Sequence, residues 1–423
     1  MADPTFGLVT RTVDNDPRPV ISADLSTIGL VGPATDADPA VFPLDTPVKI
    51  YSNDRAKLKA LGESEYLADA VRGINDQLGA LQVAAEIVIV RTASPTGADA
   101  AAKLASAIAG IVGSSTDGTG LWALIDAPEM VSATPRIIVA PGYTAQLGAG
   151  GEANAVVAAL PPVLNQLLAH AVVESAGTDQ ASDEAWRETL SSSRLIPVVG
   201  GVKVMDPVSG TVVVRPFAPR VAGLLARRDH EKGAPFHSAA NQQVYGIVGP
   251  ARPIRFNLTS DANEGQSLLS ANMGILVRGE IGSDFAISSG GFVFIGTDNA
   301  GEDELWRFYN QTRGRDFIHI SLMRALRYYL GRFNLTGQTI ESIVNTMKFF
   351  LRDLKADQHI LGYKVGFQKD QNSAEEIRLG HLTISFAAEE PAVLRKITTE
   401  SSRYREAVNE MVANLEQQLN LAA

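Results

Sequence analysis

The sequence predicts a mixed α/β protein whose main layer is a mostly parallel sheet. Apolar runs at residues 25–31 and 86–91 are typical of buried strands. Between them, Leu67, Val71 and Ile74 recur at helical spacing, which completes one strand–helix–strand unit. Strand and helix patterns keep alternating from residue 100 onward. This alternation favours parallel strands because each parallel connection needs a crossover.

The segments up to about residue 205 can be placed individually. Four apolar runs are predicted strands, namely LWALIDA, RIIVAPG, AHAVVESA and SRLIPVVGG. Helices are predicted near residues 154–168 and 182–190, and Ser182 is a suitable N-cap for the second. Residues 5–13 alternate like a strand, but the following NDPRP breaks the pattern. We therefore predict that residues 1–19 form a detached arm.

The region after residue 211 mixes strands with two predicted helices. The face of the first helix consists of Ile318, Leu322, Ala325 and Tyr329, and Gly331 is suited to close it. The second spans residues 338–355, with an apolar stripe made of Ile340, Ile343, Val344, Met347, Leu351 and Leu354. Strands are predicted near residues 361–368, 376–387 and 393–399.

Composition and charge restrict the classes of function. With 423 residues, 45% of them hydrophobic and 20% charged, the chain can bury the cores of about two or three domains. The 47 acidic side chains exceed the 37 basic ones, and the net charge of -10 argues against direct nucleic-acid binding. The absence of cysteine excludes disulfides and thiolate sites. The first residues lack a signal-peptide pattern, and residues 154–173 are too polar for membrane insertion.

Few motifs point to catalysis. Residues 148–153 match the dinucleotide pattern G-x-G-x-x-A, but the loop before them is longer than the expected tight turn. The side chains of residues 229–231, Asp-His-Glu, diverge, and a solvated turn or a subunit contact is predicted there. His170 and Glu174 are interpreted as an incidental pair. We predict no catalytic, cofactor-binding or metal-binding residue, because the Walker, zinc-protease and nucleophile-elbow motifs are all missing.

The most informative stretch is residues 217–242, FAPRVAGLLARRDHEKGAPFHSAANQ. It follows a signature with a P-S-x-x-V-A-G-like opening, an A-R-x-D step, a basic residue before glycine and an S-x-A-N close. The matching positions are Pro219, Val221, Ala222, Gly223, Ala226, Arg227, Asp229, Lys232, Gly233, Ser238, Ala240 and Asn241. Residues 20–38, 305–322 and 378–408 are similar to three further blocks in the same order. The chain thus resembles the contractile tail sheath proteins of bacteriophages and related injection machines.

The resemblance implies a sheath core domain, an outer α/β domain, and extended arms that donate strands to neighbouring subunits. The implied division is an N-terminal arm at 1–19, the first part of the core at 20–99, the outer domain at 100–205, the core at 206–390, and a C-terminal arm and helix at 391–423. The candidate inter-subunit residues in the arms are Phe6, Leu8, Thr10, Leu394 and Ile397. The implied partners are further copies in stacked rings of six, a tail tube protein, and baseplate and tail terminator proteins.

The function implied by the resemblance is mechanical and needs no cofactor. The subunits polymerise around the tube in the host bacterial cytoplasm and contract in the virion tail to drive the tube through the host envelope. On the helix of residues 338–355, Lys348, Arg352 and Lys355 form a basic line that either contacts the tube or is a solvated face. An α/β nucleotide-binding enzyme using residues 148–153 is the alternative function. A phage-like bacteriocin sheath is a third possibility.

Overall fold

A computed structural model describes residues 25–63, 65–81 and 83–421. The predicted strand of the N-terminal arm, with Phe6, Leu8 and Thr10, lies outside these ranges. The chain divides into a large unit that ends at Ala392 and a smaller unit that begins at Val393. None of the helices in the described ranges combines the length and apolar character that a membrane span requires.

The first sheet has six strands in the order β2-β3-β1-β4-β5-β6. These strands are β1 Ile28–Pro33, β2 Val48–Tyr51, β3 Glu86–Thr92, β4 Ile137–Val139, β5 His170–Glu174 and β6 Leu195–Val198. All neighbouring pairs are parallel except β2 with β3. The predicted α/β layer is therefore confirmed. The predicted domain boundary between residues 99 and 100 falls within this one sheet, after its third strand along the chain.

Helices cover both faces of this sheet. They are α1 Arg55–Leu61, α2 Tyr66–Leu78, α3 Ala100–Val112, α4 Ala127–Val131, α5 Ala155–Leu167, α6 Gln180–Glu188 and α7 Ala218–Lys232. Side chains alternate along β1, so that Leu30 joins a core with α2 and α7 whereas Val31 joins a core with α3 and α5. Burial on both faces explains why these strands are continuous apolar runs in the sequence.

Two predictions in this region are wrong in detail. The run LWALIDA forms a short 3-10 helix over Gly120–Asp126 and not a strand. Its side chains Leu121 and Leu124 are fully buried, and an apolar run of this length has no period that separates strand from helix. Helix α6 begins earlier than predicted, since Asp179 and not Ser182 is its N-cap.

Two small antiparallel sheets follow, in the orders β10-β7-β8 and β11-β12-β9. Their strands are β7 Gly201–Met205, β8 Val212–Pro216, β9 Gln242–Gln243, β10 Gly249–Pro250, β11 Ile275–Arg278 and β12 Phe292–Ile295, and helix α8 Glu264–Ser270 precedes β11. The inner residues Val202 and Val204 of β7 join the core that contains α2 and α7.

The last part of the large unit is a helical pair with a hairpin. Its elements are α9 Tyr309–Leu326, α10 Gly337–Ala356, β13 Gly362–Gly366, α11 Ala374–Arg378 and β14 Ser385–Glu389. Both predicted helices exist, but α9 ends at Leu326, so Tyr329 lies in the following turn. Gly331 does adopt a left-handed conformation, with φ of 71°, although it lies beyond the helix end. The strand predicted at 376–387 is wrong in its first half, where Ser373 caps α11.

The small unit contains α12 Glu406–Leu421. Residues 393–404 before it form neither helix nor strand, so the strand predicted at 393–399 is not present in the isolated chain. A strand needs a partner edge for its backbone hydrogen bonds, and no edge within the described ranges pairs with this segment.

Candidate subunit interface

The signature at residues 217–242 owes its residue types to close packing of α7 on α2. Gly223 has no room for a side chain, because a Cβ there would lie 2.9 Å from Ile74 Cα. Arg220 donates two hydrogen bonds to Asp69, at 2.5 and 2.9 Å, and both side chains are buried. These signature-region residues thus serve the subunit's own core.

The second half of the signature joins α7 to α9. Asp229 is buried in an ion pair with Arg313, so a solvated turn is the wrong prediction for this residue. His230 and Glu231 are exposed as predicted, but they lie in the last turn of α7 and not in a separate turn. Gly233 ends α7 with φ of 74°, a left-handed conformation suited to glycine. The signature therefore brings two of the sequence blocks together in space.

The glycine-rich loop at residues 148–153 does not present a free helix terminus. Its residues Ala149–Gly151 form a single 3-10 turn before α5. Asn154 caps α5 by accepting hydrogen bonds from the backbone of Val156 and Val157, at 2.8 and 3.3 Å. Because these first-turn N–H groups are already bonded, the loop lacks the open donors that a phosphate uses. The geometry gives the nucleotide-binding alternative no support.

Glu174 is fully buried and connects β5 to the start of α7. Its carboxylate accepts backbone N–H groups from Gly142 at 3.0 Å, Phe217 at 2.6 Å and Ala218 at 2.8 Å. Burial raises the pKa of Glu174 to about 7, although the three N–H donors favour the charged form. Glu174 therefore caps the N-terminus of α7 from strand β5. The interpretation of Glu174 as part of an incidental pair is wrong.

His170 lies at the other end of β5 and is also buried. Its Nε2 lies 3.0 Å from Thr312 Oγ1, and its Nδ1 lies 3.7 Å from Asp316 Oδ2. Burial lowers the pKa of His170 well below its ordinary value, and Arg194 and Arg313 add to this effect. A neutral imidazole fixed by two neighbours fits a structural role.

A groove of about 390 Å³ opens beside His170. Both of its arginines are already paired, since Arg194 contacts Asp316 at 2.5 Å and Arg315 contacts Glu390 at 2.8 Å. Within the described part of the chain there is also no group of acidic or histidine side chains that could hold a metal ion. Neither observation points to a reaction centre in the groove.

The large unit begins, in the described ranges, at a residue attached to α9. Leu25 is buried in the same apolar cluster as Phe317 and Ile318 of that helix. Its carbonyl oxygen lies 3.5 Å from Arg313 Nη2. The first described residue of the large unit is therefore held on α9.

The same helix holds the other end of the large unit. Gln311 Nε2 donates to the carbonyl of Glu390 at 3.0 Å, and Arg315 Nη2 donates to that of Ala388 at 2.7 Å. Arg315 also stacks over the Trp306 ring at 4.8 Å. These residues were not among the site residues predicted from the sequence. Their signal is an unusually polar stretch at the start of a helix, because residues 310–316 read NQTRGRD, with Gln311 and Arg315 at i and i+4.

The hairpin of β13 and β14 forms a separate sheet of two strands. One face is covered, because Tyr363, Val365, Phe386 and Ala388 pack on the cluster that contains α9 and α10. No third strand pairs with the hairpin within the described ranges. Two strands alone make a marginal sheet, and their outer edges carry backbone groups that can pair with another chain. This hairpin is the candidate subunit interface.

The other site residues that were predicted within the described ranges lie on the surface. Lys348, Arg352 and Lys355 are exposed on α10, opposite the buried side chains of Met347 and Leu351. Arg352 bonds to Asp353 at 2.9 Å, so it is not wholly free. In the small unit, Leu394 and Ile397 are 75% and 74% exposed, as residues awaiting a partner would be.

Comparison with known proteins gives consistent results. No family model matches the chain. It is 27% identical over 375 residues to a prophage major tail sheath protein of Pseudomonas aeruginosa, covering 88% of this chain and 90% of the relative. It is 26% identical over 391 residues to the tail sheath protein of Escherichia phage P2, covering 91% and 92%. The contracted helical sheath of the anti-feeding prophage has the same fold, with a TM-score of 0.66, 16% identity and coverage of 95% and 100%.

These matches span nearly the whole of this chain and nearly the whole of each similar protein. They agree with the structure, in which the buried polar side chains hold helices and strands together. The chain is a structural protein and not an enzyme. It is similar over nearly its whole length to the tail sheath proteins of contractile injection machines, and the resemblance seen in the sequence is confirmed.

Proposed function

We propose that this chain polymerises head to tail into a helical cylinder around a tail tube and contracts to drive the tube through a host envelope during genome delivery. The observation that carries the proposal is the hairpin of β13 and β14, which pairs with no further strand in the described ranges. A head-to-tail contact does not close on itself, so it can extend into a helix.

The arms are the proposed donors to this hairpin. Leu394 and Ile397 lie in a segment without secondary structure, and Phe6, Leu8 and Thr10 belong to the alternating N-terminal segment. An added strand gains main-chain hydrogen bonds on the open edge, and alternate side chains find pockets on the covered face. The arms would then keep subunits connected while the large units move relative to one another.

Contraction needs no nucleotide in this proposal. The extended and contracted polymers contain the same subunits, so the energy released lies in the difference between two sets of subunit contacts. We assign the contact with the tail tube to Lys348, Arg352 and Lys355. A contact through exposed cations is weak enough to release when the cylinder widens. Rings of six, assembly in the bacterial cytoplasm, and attachment to baseplate and terminator proteins complete the proposal.

The experiment is to purify the chain, measure its hydrodynamic size and image it by negative stain. Hollow tubes are expected, in the contracted arrangement because neither tube nor baseplate is present to hold the extended one. A species that stays monomeric at high concentration, with both termini intact, would contradict the proposal. Addition of nucleotides provides the control for the enzyme alternative, and no gain in thermal stability is expected from them.

A further inference from the structure

The C-terminal helix α12 carries an apolar stripe that is exposed along its length. The stripe consists of Val408, Met411, Val412, Leu415 and Leu419, each between 47% and 69% exposed. Four of these residues recur at i, i+4, i+7 and i+11, the spacing of a helix that lies in an apolar groove. A stripe of this kind is stable in water only when a partner covers it.

Charge and length restrict the choice of partner. The helix contains Glu406, Glu410 and Glu416 and no lysine or arginine, whereas helices that bind membrane surfaces carry basic residues on the polar face. Its 16 residues are about two heptads, which is too short for a stable coiled coil with another α12. The partner is therefore a preformed protein surface that is apolar and basic.

The chain itself has such a surface between α9 and α10. We call residues 327–334, RYYLGRFN, the α9–α10 tip. Leu330 is 78% exposed and Phe333 is 48% exposed, and Arg327 and Arg332 are exposed beside them. From residue 317 to residue 340 the sequence contains three arginines and no acidic residue, in a chain of net charge -10. The tip is thus a local basic and apolar patch on an acidic protein.

The tip is also preformed. The rings of Tyr328 and Tyr329 each contact the Phe333 ring, with centroids 5.5 and 5.7 Å apart. The Tyr329 hydroxyl lies 3.1 Å from the hydroxyls of Ser342 and Thr346 on α10. An aromatic cluster fixed in this way loses little conformational entropy on binding, and aromatic residues with arginine are the usual strong contacts of interfaces.

We propose that the apolar stripe of α12 docks on the α9–α10 tip of a second copy of this chain. The inference rests on the proposed polymerisation and adds to it a helical contact that is separate from strand donation. Leu330 and Phe333 would cover the stripe, and Arg332 would face Glu416, which borders the stripe next to Leu415. The linker of residues 393–405 can span at most about 45 Å, which allows the helix to reach a neighbouring subunit.

The absence of cysteine makes a direct test possible, because each introduced thiol is unique. Leu419→Cys is mixed with an epitope-tagged Leu330→Cys variant and treated with a short bismaleimide, which forms one thioether bond with each thiol. A product of one tagged and one untagged chain is necessarily intermolecular. Two controls replace Leu330→Cys: Ile281→Cys, at a residue that is 90% exposed, and Phe349→Cys on the exposed face of α10.

The 330–419 product is expected in clear excess over both controls. Its loss is expected in Arg332→Glu, and its recovery when Glu416→Lys is added. Equal yields from all three pairs, or a dominant 349–419 product, would overturn docking on the tip. Imaging of the same samples separates the two proposals. Tubes without the 330–419 product overturn the docking and leave polymerisation intact, whereas the product without tubes retains the docking and removes polymerisation.

Discussion

Asp229 of α7 and Arg313 of α9 form two parallel hydrogen bonds in the interior, at 3.1 Å between Oδ1 and Nη1 and 2.5 Å between Oδ2 and Nη2. Their side chains are 5% and 1% exposed. Such a bidentate pair fixes the orientation of both helices, because neither charge can be left alone at this depth.

Removing the charge of Asp229 is expected to destabilise the subunit strongly. Asp229→Asn leaves the Arg313 guanidinium buried without a counter-charge, which costs roughly 3–5 kcal/mol. The matched control is Asp353→Asn in the exposed pair with Arg352, for which a change below about 1 kcal/mol is expected. Urea unfolding monitored by circular dichroism measures both. Equal losses in the two variants would contradict the assigned role of the buried pair.

Gly223→Ala is expected to destabilise the contact between α7 and α2. The added methyl group would meet backbone atoms of Ile74 at 2.9 and 3.0 Å, so the helices must separate at a cost of about 1–3 kcal/mol. Gly110→Ala in α3 is the control. There the nearest atom is 3.8 Å away and the helix gains about 0.5–1 kcal/mol from the substitution. Thermal unfolding of both variants should shift the midpoint in opposite directions.

Stability is expected to depend on pH through Glu174. Its pKa is raised from 4.5 to about 7 in the folded chain, so the folded state binds the proton more tightly than the unfolded state. The stabilisation is fully present below pH 4.5 and is lost as the pH rises to about 7, a change of up to roughly 3 kcal/mol.

Glu174→Gln isolates this contribution. Its NH2 group cannot accept a hydrogen bond and would face a backbone N–H, whereas the hydroxyl oxygen of protonated Glu174 still can accept, so the variant is expected to be less stable by about 1–3 kcal/mol at low pH. The free energy of unfolding of the original chain should then approach that of the variant as the pH rises from 4.5 to about 7. Titration of His170 is common to both proteins and cancels in the difference. Parallel pH profiles would rule out the raised pKa.

Removal of residues 1–19 is expected to leave a folded subunit that no longer forms stable tubes. The physical reason is that Phe6 and Leu8 are assigned to a neighbour's sheet and not to the subunit's own core. Circular dichroism reports the fold, and negative-stain imaging reports assembly. Normal tubes from the shortened chain would exclude the arm hypothesis, and an unfolded product would place the segment in its own core.

Changing Lys348, Arg352 and Lys355 together to glutamate is expected to weaken assembly of extended sheath on tail tubes. Spontaneous contracted polymers should persist, because their formation does not involve the tube. The control is the exposed set Arg55, Lys59 and Lys103, which lowers the net charge equally on α1 and α3. Normal extended tails from the α10 variant would show that its basic line is only a solvated face.

Periodic segments were predictable from the sequence, and long-range polar contacts were not. The apolar residues of α10 recur with a clear helical period, and Met347, Leu351 and Leu354 are buried as predicted. Gly120–Asp126 was missed because a short apolar run fits either structure. The partner of Asp229 is 84 residues away, and no local pattern encodes that pairing. The same limit applies to Glu174, whose donors lie in the loop at Gly142 and at the start of α7.

The attachment of both described ends of the large unit to α9 has a mechanical consequence. A pull on the N-terminal segment enters through Leu25, which is packed on α9, and a pull on the C-terminal segment enters through Glu390, which Gln311 and Arg315 hold. In the proposed polymer, force between neighbouring subunits would therefore cross the large unit along a single helix. The six-stranded sheet is tied to the same helix, because His170 of β5 lies 3.0 Å from Thr312 and Arg194 before β6 lies 2.5 Å from Asp316, so the sheet would move together with the helix that carries the tension.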